Sequence, residues 1–187
     1  MTDNVLTPEF RAAFISVFKA SRPRGAPETQ APKYSIRACF PPSTDMSALK
    51  AQAGAAASEK WADKIPKTLR SPFRLNEELE SPVAGIGDDW IVMTFSANAD
   101  RRPGLVDANL NDIIDEAAVY SGAWFRAQVR AFAYEQQGNK GVTFGLQNMQ
   151  KLRDDEPLGG GRPPANKAFS AVEGAEGSAK SASSIFG

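Results

Sequence analysis

The 187-residue sequence contains no histidine and a single cysteine, Cys39. Without histidine there is no Ser-His-Asp or Cys-His nucleophile pair and no imidazole metal ligand. One cysteine excludes an intramolecular disulfide framework and any Cys-based zinc or iron–sulfur site. An excess of one charge is missing too, since 22 Lys and Arg stand against 22 Asp and Glu. No apolar run reaches the roughly 18 residues that a membrane-spanning helix requires. The start, Met1-Thr-Asp-Asn-Val-Leu-Thr-Pro, lacks the basic-then-apolar order of a leader. A cytoplasmic setting is therefore expected, and a lone cysteine is compatible with a reducing compartment.

What is present is ordinary globular material. Hydrophobic residues make up 42%, a sizeable core's worth, and the length suits one domain with a flexible appendage. Residues 10–19 are aromatic and β-branched and predict a strand. Pro23, Gly25, Pro27 and Pro32 then predict a loop. Residues 34–40 alternate, with Tyr34, Ile36, Ala38 and Phe40 on one side and Ser35, Arg37 and Cys39 on the other. Ser43-Thr-Asp offers N-caps to an Ala-rich helix over 46–60, with Trp61 anchoring its end. Residues 62–89 carry little periodicity and predict a long excursion over the barrel. Strands are expected over 90–97, 122–134 and 142–152, the last two joined as a hairpin through Gly138-Asn-Lys-Gly. Residues 107–120 fit a short helix or irregular packing.

From Asp154 onward the composition shifts to acids, Gly, Pro, Ala and Ser, too poor in large apolar groups to offset the entropy of ordering. Residues 154–187 hold three basic and five acidic residues, which leaves 19 and 17 in residues 1–153. A mildly basic body and a mildly acidic tail thus hide under the neutral total. The expected organisation is a mainly β domain over 1–153 and a flexible tail over 154–187. Five strands and one helix match an OB-like barrel, and a small sandwich fits the strand count equally well.

The strand over 122–134 is the most informative stretch. Side chains alternate faces along a strand. Ala123, Phe125, Ala127, Val129, Ala131 and Ala133 form an apolar, mostly small face suited to a closed interior. Trp124, Arg126, Gln128, Arg130, Phe132 and Tyr134 form the other. Aromatics interleaved with arginines suit single-stranded nucleic acid, because each unpaired base can stack on a ring and guanidinium groups meet phosphates. Lys33, Arg37, Arg101, Arg102 and Lys140 are further candidates to outline a basic groove. The alternative is that Trp124, Phe132 and Tyr134 pack beneath the 62–89 excursion with the arginines paired to acids.

Other patterns carry less. Gly85-Ile-Gly87 lacks the strand–turn–helix context of a dinucleotide fingerprint. Gly159-Gly-Gly is followed by Arg-Pro-Pro, not by the Lys-Ser of a P-loop. The acids Asp88-Asp89, Asp112 with Asp115 and Glu116, and Asp154-Asp155-Glu156 leave open a Mg²⁺-dependent nuclease or resolvase. A protein–protein adaptor using the aromatic face is a further alternative. The primary reading needs no catalytic residue, metal or cofactor.

Four stretches carry a family resemblance. They are Pro32-Lys-Tyr-Ser-Ile-Arg-Ala-Cys-Phe-Pro-Pro, then Arg102-Pro-Gly-Leu-Val-Asp with Ile113-Ile-Asp, then Tyr120-Ser-Gly-Ala-Trp-Phe-Arg-Ala-Gln-Val-Arg-Ala-Phe-Ala-Tyr, and the run from Gly138 through Gly160. Between about Pro32 and Phe169 the chain resembles the phage-encoded single-stranded DNA-binding proteins of the OB-fold type. The resemblance implies an OB-type barrel that coats single strands in phage DNA replication and recombination, inside a bacterial host. It also implies replication or recombination proteins as partners through the tail, with a homodimer compatible. Replication-type members often end in acids closed by an aromatic. Here the chain ends Lys180-Ser-Ala-Ser-Ser-Ile-Phe-Gly, so the Ile185-Phe186 pair stands without neighbouring acids.

Overall fold

Five long strands supply one fully buried phenylalanine each, and those rings define the core. The computed structural model describes residues 2–159 and 169–172. Its elements are β1 (Val5–Leu6), β2 (Phe10–Ser21), β3 (Lys33–Phe40), α1 (Ser47–Trp61), β4 (Arg74–Leu75), β5 (Ile91–Asn98), β6 (Gly104–Val106), β7 (Trp124–Gln136) and β8 (Asn139–Arg153). Single 3₁₀ turns lie at Asn76–Glu78 and Glu116–Ala118. Phe10, Phe40, Phe95, Phe125 and Phe144 are all 0% exposed. Phe10 meets Phe40 and Phe95 edge-on at 5.6 and 5.9 Å and stacks on Phe125 at 6.5 Å.

The long strands run β2-β3-β5-β8-β7, and β7 returns to β2 through Phe10↔Phe125. All these pairings are antiparallel except β5–β8, which is parallel. The result is a closed barrel of OB type. The expected OB-like barrel is thus observed, and the alternative sandwich is not, since a sandwich leaves its two sheets unjoined. The apolar face of β7 points inward as the alternation requires, with Ala123, Phe125, Ala127, Val129 and Ala131 at 1% exposure or less. β1, β4 and β6 add two or three residues at the margins, too few to leave a periodic signature.

The β7–β8 hairpin turns earlier than its glycine-rich sequence suggests. Gln136 pairs with Asn139, so the loop is Gln137-Gly138, with φ of 49° and 80°. A two-residue loop with positive φ at both centres matches the twist of the flanking strands. Asn139, Lys140 and Gly141 therefore belong to the ladder, not to the turn.

Helix α1 closes one end of the barrel. Leu49, Ala53, Ala56 and Ala57 recur at helical spacing and are buried in the main core. Its N-cap is Met46, which has no side-chain cap, and not one of Ser43-Thr-Asp; Asp45, one residue earlier, accepts from the Ser47 backbone N–H at 2.9 Å through Oδ1. Trp61 is partly buried against the core, and its indole N–H donates to Glu135 at 3.5 Å.

Residues 62–89 do lie over the barrel, and only over part of it. Leu79, Val83, Ile86 and Trp90 pack on Ala13, Cys39 and Val92, which face outward from β2, β3 and β5. Asn76, 1% exposed, ties this flap together. Its amide donates to the carbonyls of Val83 at 3.2 Å and Ile86 at 3.0 Å, and its Oδ1 accepts from Val83 N–H at 2.8 Å. Burial under the flap pushes the Cys39 thiol up to about 12. In the 107–120 region only the Glu116–Ala118 turn is helical, capped by the Asp115 carboxylate on Ala117 N–H at 2.9 Å.

The first acids of the compositional tail are bound to the barrel. Asp154 accepts from the Tyr120 hydroxyl at 2.8 Å and pairs with Lys151 at 2.7 Å. Burial, with the hydrogen bond to Asp154, pushes the Tyr120 phenol up to about 12. Arg11 donates to the carbonyls of Gly122 at 3.0 Å and Glu156 at 2.7 Å. Leu158 N–H donates to Ser121 at 2.9 Å and its side chain joins the flap cluster. Gly122, at φ 116°, lets this strap pass, because a Cβ there would strike the Glu156 carbonyl. The chain therefore remains attached beyond the composition boundary at residue 154. Arg162, Glu173, Glu176 and the Ile185-Phe186 pair lie outside the described residues.

Candidate nucleic-acid interface

The flap covers only part of the outer sheet face, and the remainder is an open groove across β3, β5, β8 and β7. Register places its floor. Arg37 lies beside Thr94, Ser35 beside Ser96, and Lys33 beside Asn98 on the β3–β5 pair. Ser96 adjoins Gly145 on β8, and Phe132 and Tyr134 on β7 sit opposite Thr143 and Gly141. The groove is lined by Lys33, Arg37, Arg70, Arg74, Phe132 and Tyr134, with the hydroxyls of Ser71, Thr94, Ser96 and Thr143 between them.

Its chemistry is one-sided. Four cations and no carboxylate line it. The ion pairs among the described residues are Arg11–Asp155, Lys140–Glu135, Lys151–Asp154 and Arg153–Glu9, and none uses a groove cation. Arg37 is held by stacking on the Phe14 ring at 4.7 Å and by donating to the Ser81 carbonyl at 3.3 Å. Arg74 donates to the Glu78 carbonyl at 2.7 Å. Neither contact neutralises the guanidinium. A neutral chain can thus present a concentrated positive field locally.

Two glycines allow the aromatics to lie against the sheet. A Cβ at Gly141 would come within 2.7 Å of the Tyr134 hydroxyl and 2.9 Å of the Arg70 carbonyl. Arg70 itself is pinned to β8 by its N–H on Lys140 O at 2.9 Å and by its carbonyl accepting from Val142 at 3.4 Å. At Gly145 the nearest atom is the edge of the Phe132 ring, 3.5 Å from a Cβ. Phe132 remains 47% exposed, a flat apolar ring facing solvent above a charged groove.

Of the residues expected at this site, Lys33, Arg37, Phe132 and Tyr134 come together. The others do not. Trp124 is 9% exposed at the far end of β7. Its N–H donates to Asp155 at 2.8 Å, Arg153 covers its ring at 4.5 Å, and Trp90 lies 6.3 Å away. Buried beneath the strap, it has no free face to offer a base. Arg126 donates to Gln150 at 2.6 Å, in an amide-rich stretch with Gln128 and Asn148. Arg130 sits by α1 in a hollow with Ala56, Glu59 and Lys60 that meets the groove only at Phe132. Arg102 stacks over Phe18 at 5.2 Å in another concavity, beside Leu105, Ile113 and Ile114. Arg101 occupies the exposed turn after β5, its N–H on Asn98 O at 2.9 Å. Lys140 pairs with Glu135 at 3.2 Å, which holds that carboxyl below its usual range.

The sequence pattern marks neither Arg70 and Arg74 as groove residues nor the outward turn of Phe14. The two arginines belong to an aperiodic segment, so no alternation marks their direction. Phe14 lies within β2 but departs from its alternation, at φ 47° beside a register shift.

A family model described as Enterobacter phage Enc34, ssDNA-binding protein, matches residues 3–179. No curated protein sequence matches the chain. Among solved structures, the single-stranded DNA-binding protein of bacteriophage Enc34 in complex with ssDNA aligns with a TM-score of 0.67 at 18% identity. That alignment covers 83% of this chain and 89% of the other. The Enc34 protein in a second structure gives 0.64 at 19% identity, covering 89% and 90%. Gp2.5 of bacteriophage T7, a single-stranded DNA-binding protein, gives 0.63 at 12% identity, covering 95% and 100%.

Proposed function

The chain belongs to the family of the Enterobacter phage Enc34 ssDNA-binding protein, and from that premise we propose that it binds single-stranded DNA across the groove of β3, β5, β8 and β7. Bases stack on Phe132 and Tyr134, while Lys33, Arg37, Arg70 and Arg74 neutralise phosphates. Rings offer the same π-face to every base, so binding of this kind is indifferent to sequence. The observation that carries the reading is the meeting of two accessible aromatics with four cations on a sheet face without a carboxylate. The relative solved in complex with ssDNA supports it.

The role is stoichiometric coating during phage DNA replication and recombination, in the cytoplasm of an infected bacterium, with no bond made or broken. Three of the acids that left a nuclease open have structural roles. Asp154 holds Tyr120 and Lys151, Asp155 holds Trp124, and Asp115 caps a turn. Among the described residues no group of three Cys, Asp or Glu converges to hold a metal ion.

Titrating labelled oligo-dT at a series of salt concentrations tests this reading. Each phosphate contact contributes about −0.7 to the slope of log K against log salt. Engagement of all four groove cations predicts a slope of about −3, and Arg74→Ala should lower its magnitude by about 0.7. A salt-independent affinity, or none at low salt, would contradict it. Trp124→Phe is expected to keep affinity within about twofold while losing the Asp155 hydrogen bond, a net contribution to stability of about 1 kcal/mol. A tenfold loss of affinity in that variant would return Trp124 to the binding surface.

A further inference from the structure

We propose that Phe14 is a further base-stacking residue, held ready on β2 by a strained backbone, and that this strain serves binding and not the fold. The inference rests on the single-stranded DNA reading above and extends it by one strand. Three observations meet at this side chain. Its φ is 47°, in the left-handed region where the Cβ of an L-residue crowds the following carbonyl oxygen. It stands at an irregularity in β2, between Ala13↔Arg37 and Ser16↔Ser35, where a bulge turns a side chain outward. Its ring is 60% exposed, and its aromatic or cation partner among the described residues is Arg37 at 4.7 Å.

Glycine or asparagine would suit that backbone at less cost. A phenylalanine that mostly faces water gives little packing in return. Strain of this kind persists where something outside the local packing rewards it, and it clusters at binding sites. Arg37 links the ring to the groove, because the same guanidinium that covers Phe14 lines the groove floor. Followed around the barrel through β7-β8-β5-β3-β2, Phe132 and Tyr134 stand on the first strand and Phe14 on the last, with groove cations between. A strand crossing perpendicular to the β-strands meets a ring, then a cationic stretch, then a second ring. Arg37 shifts from the Phe14 face to a phosphate as a base takes its place.

The test compares Phe14→Gly, Phe14→Ala, Phe14→Trp and Phe132→Ala in the full chain, by oligo-dT titration and thermal melting. Removing the ring should weaken binding about 5- to 150-fold in both the Gly and Ala variants, the range of one base–aromatic stack. Phe14→Trp should bind within a few-fold of the parent. Both small variants lose the ring, but only alanine keeps the left-handed penalty. Phe14→Gly should therefore melt at least about 2 °C above Phe14→Ala. Phe14 variants that bind like the parent while Phe132→Ala is weakened would overturn the assignment and leave the groove reading intact. A glycine variant no more stable than the alanine variant would overturn the strain. A parent protein that does not bind oligo-dT would remove the groove reading, and this assignment with it.

Discussion

Replacing Phe132 and Tyr134 together by alanine should weaken single-stranded DNA binding by about 2–6 kcal/mol, at one to three per stacked base. Even the lower figure is about thirtyfold in affinity. The effect should fall mainly on dissociation, and the salt slope should stay near that of the parent, because no phosphate contact is removed. This separates stacking from charge, since groove arginine variants are expected to change the slope. Phe132 is half-exposed, so its truncation asks little of the core. Tyr134 covers Gly141, so Tyr134→Phe is the proper control for lost packing, and it should bind within a few-fold of the parent. A double alanine variant that binds within threefold, while melting like the parent, would place the bases elsewhere.

The second large effect concerns the flap that bounds the groove. Asn76→Ala should destabilise the protein by about 3–5 kcal/mol, because it strands the buried Val83 N–H and Ile86 carbonyl and leaves the Val83 carbonyl with only the Ile86 N–H. For a domain of this size that is a fall of roughly 6–20 °C in Tm. The physical cause also predicts a chemical readout. Cys39 lies beneath the flap, and burial keeps its thiol protonated and shielded. Loosening the flap should expose it, so reaction with a thiol reagent under native conditions should accelerate in Asn76→Ala. A variant that melts within about 2 °C of the parent, with Cys39 still protected, would show that the flap is held by its apolar contacts alone.

The barrel was legible because its long strands announce themselves. Alternation along 122–134 identifies the inward face of β7, where Ala123 to Ala131 are buried as the pattern requires. What alternation cannot supply is the element that covers an outward face. Trp124, Phe132 and Tyr134 share one face of one strand, yet the strap from Asp154 to Leu158 and the Trp90 ring bury the first. The signal for that burial lies some thirty residues away in a stretch whose composition resembles a tail. Lys140 illustrates a second limit. Its neighbours Asn139 and Gly141 suggest a turn, but the hairpin closes at Gln137-Gly138 and returns Lys140 to the ladder opposite Glu135. Arg70 and Arg74 reach the groove from an aperiodic loop that is fixed by backbone bonds to β8 and β5, which no local pattern encodes. Phe14 breaks the alternation of β2 through a backbone angle that phenylalanine does not ordinarily adopt.

The central claim is that one open face, across β3, β5, β8 and β7, holds the DNA. Photo-crosslinking with an oligo-dT strand carrying a halogenated uracil tests it most directly, because adducts form on the aromatic rings that bases stack upon. The account predicts adducts at Phe132 and Tyr134, lost at high salt, and none at Trp124. Adducts confined to Trp124, or to the Phe18 and Arg102 concavity, would contradict it.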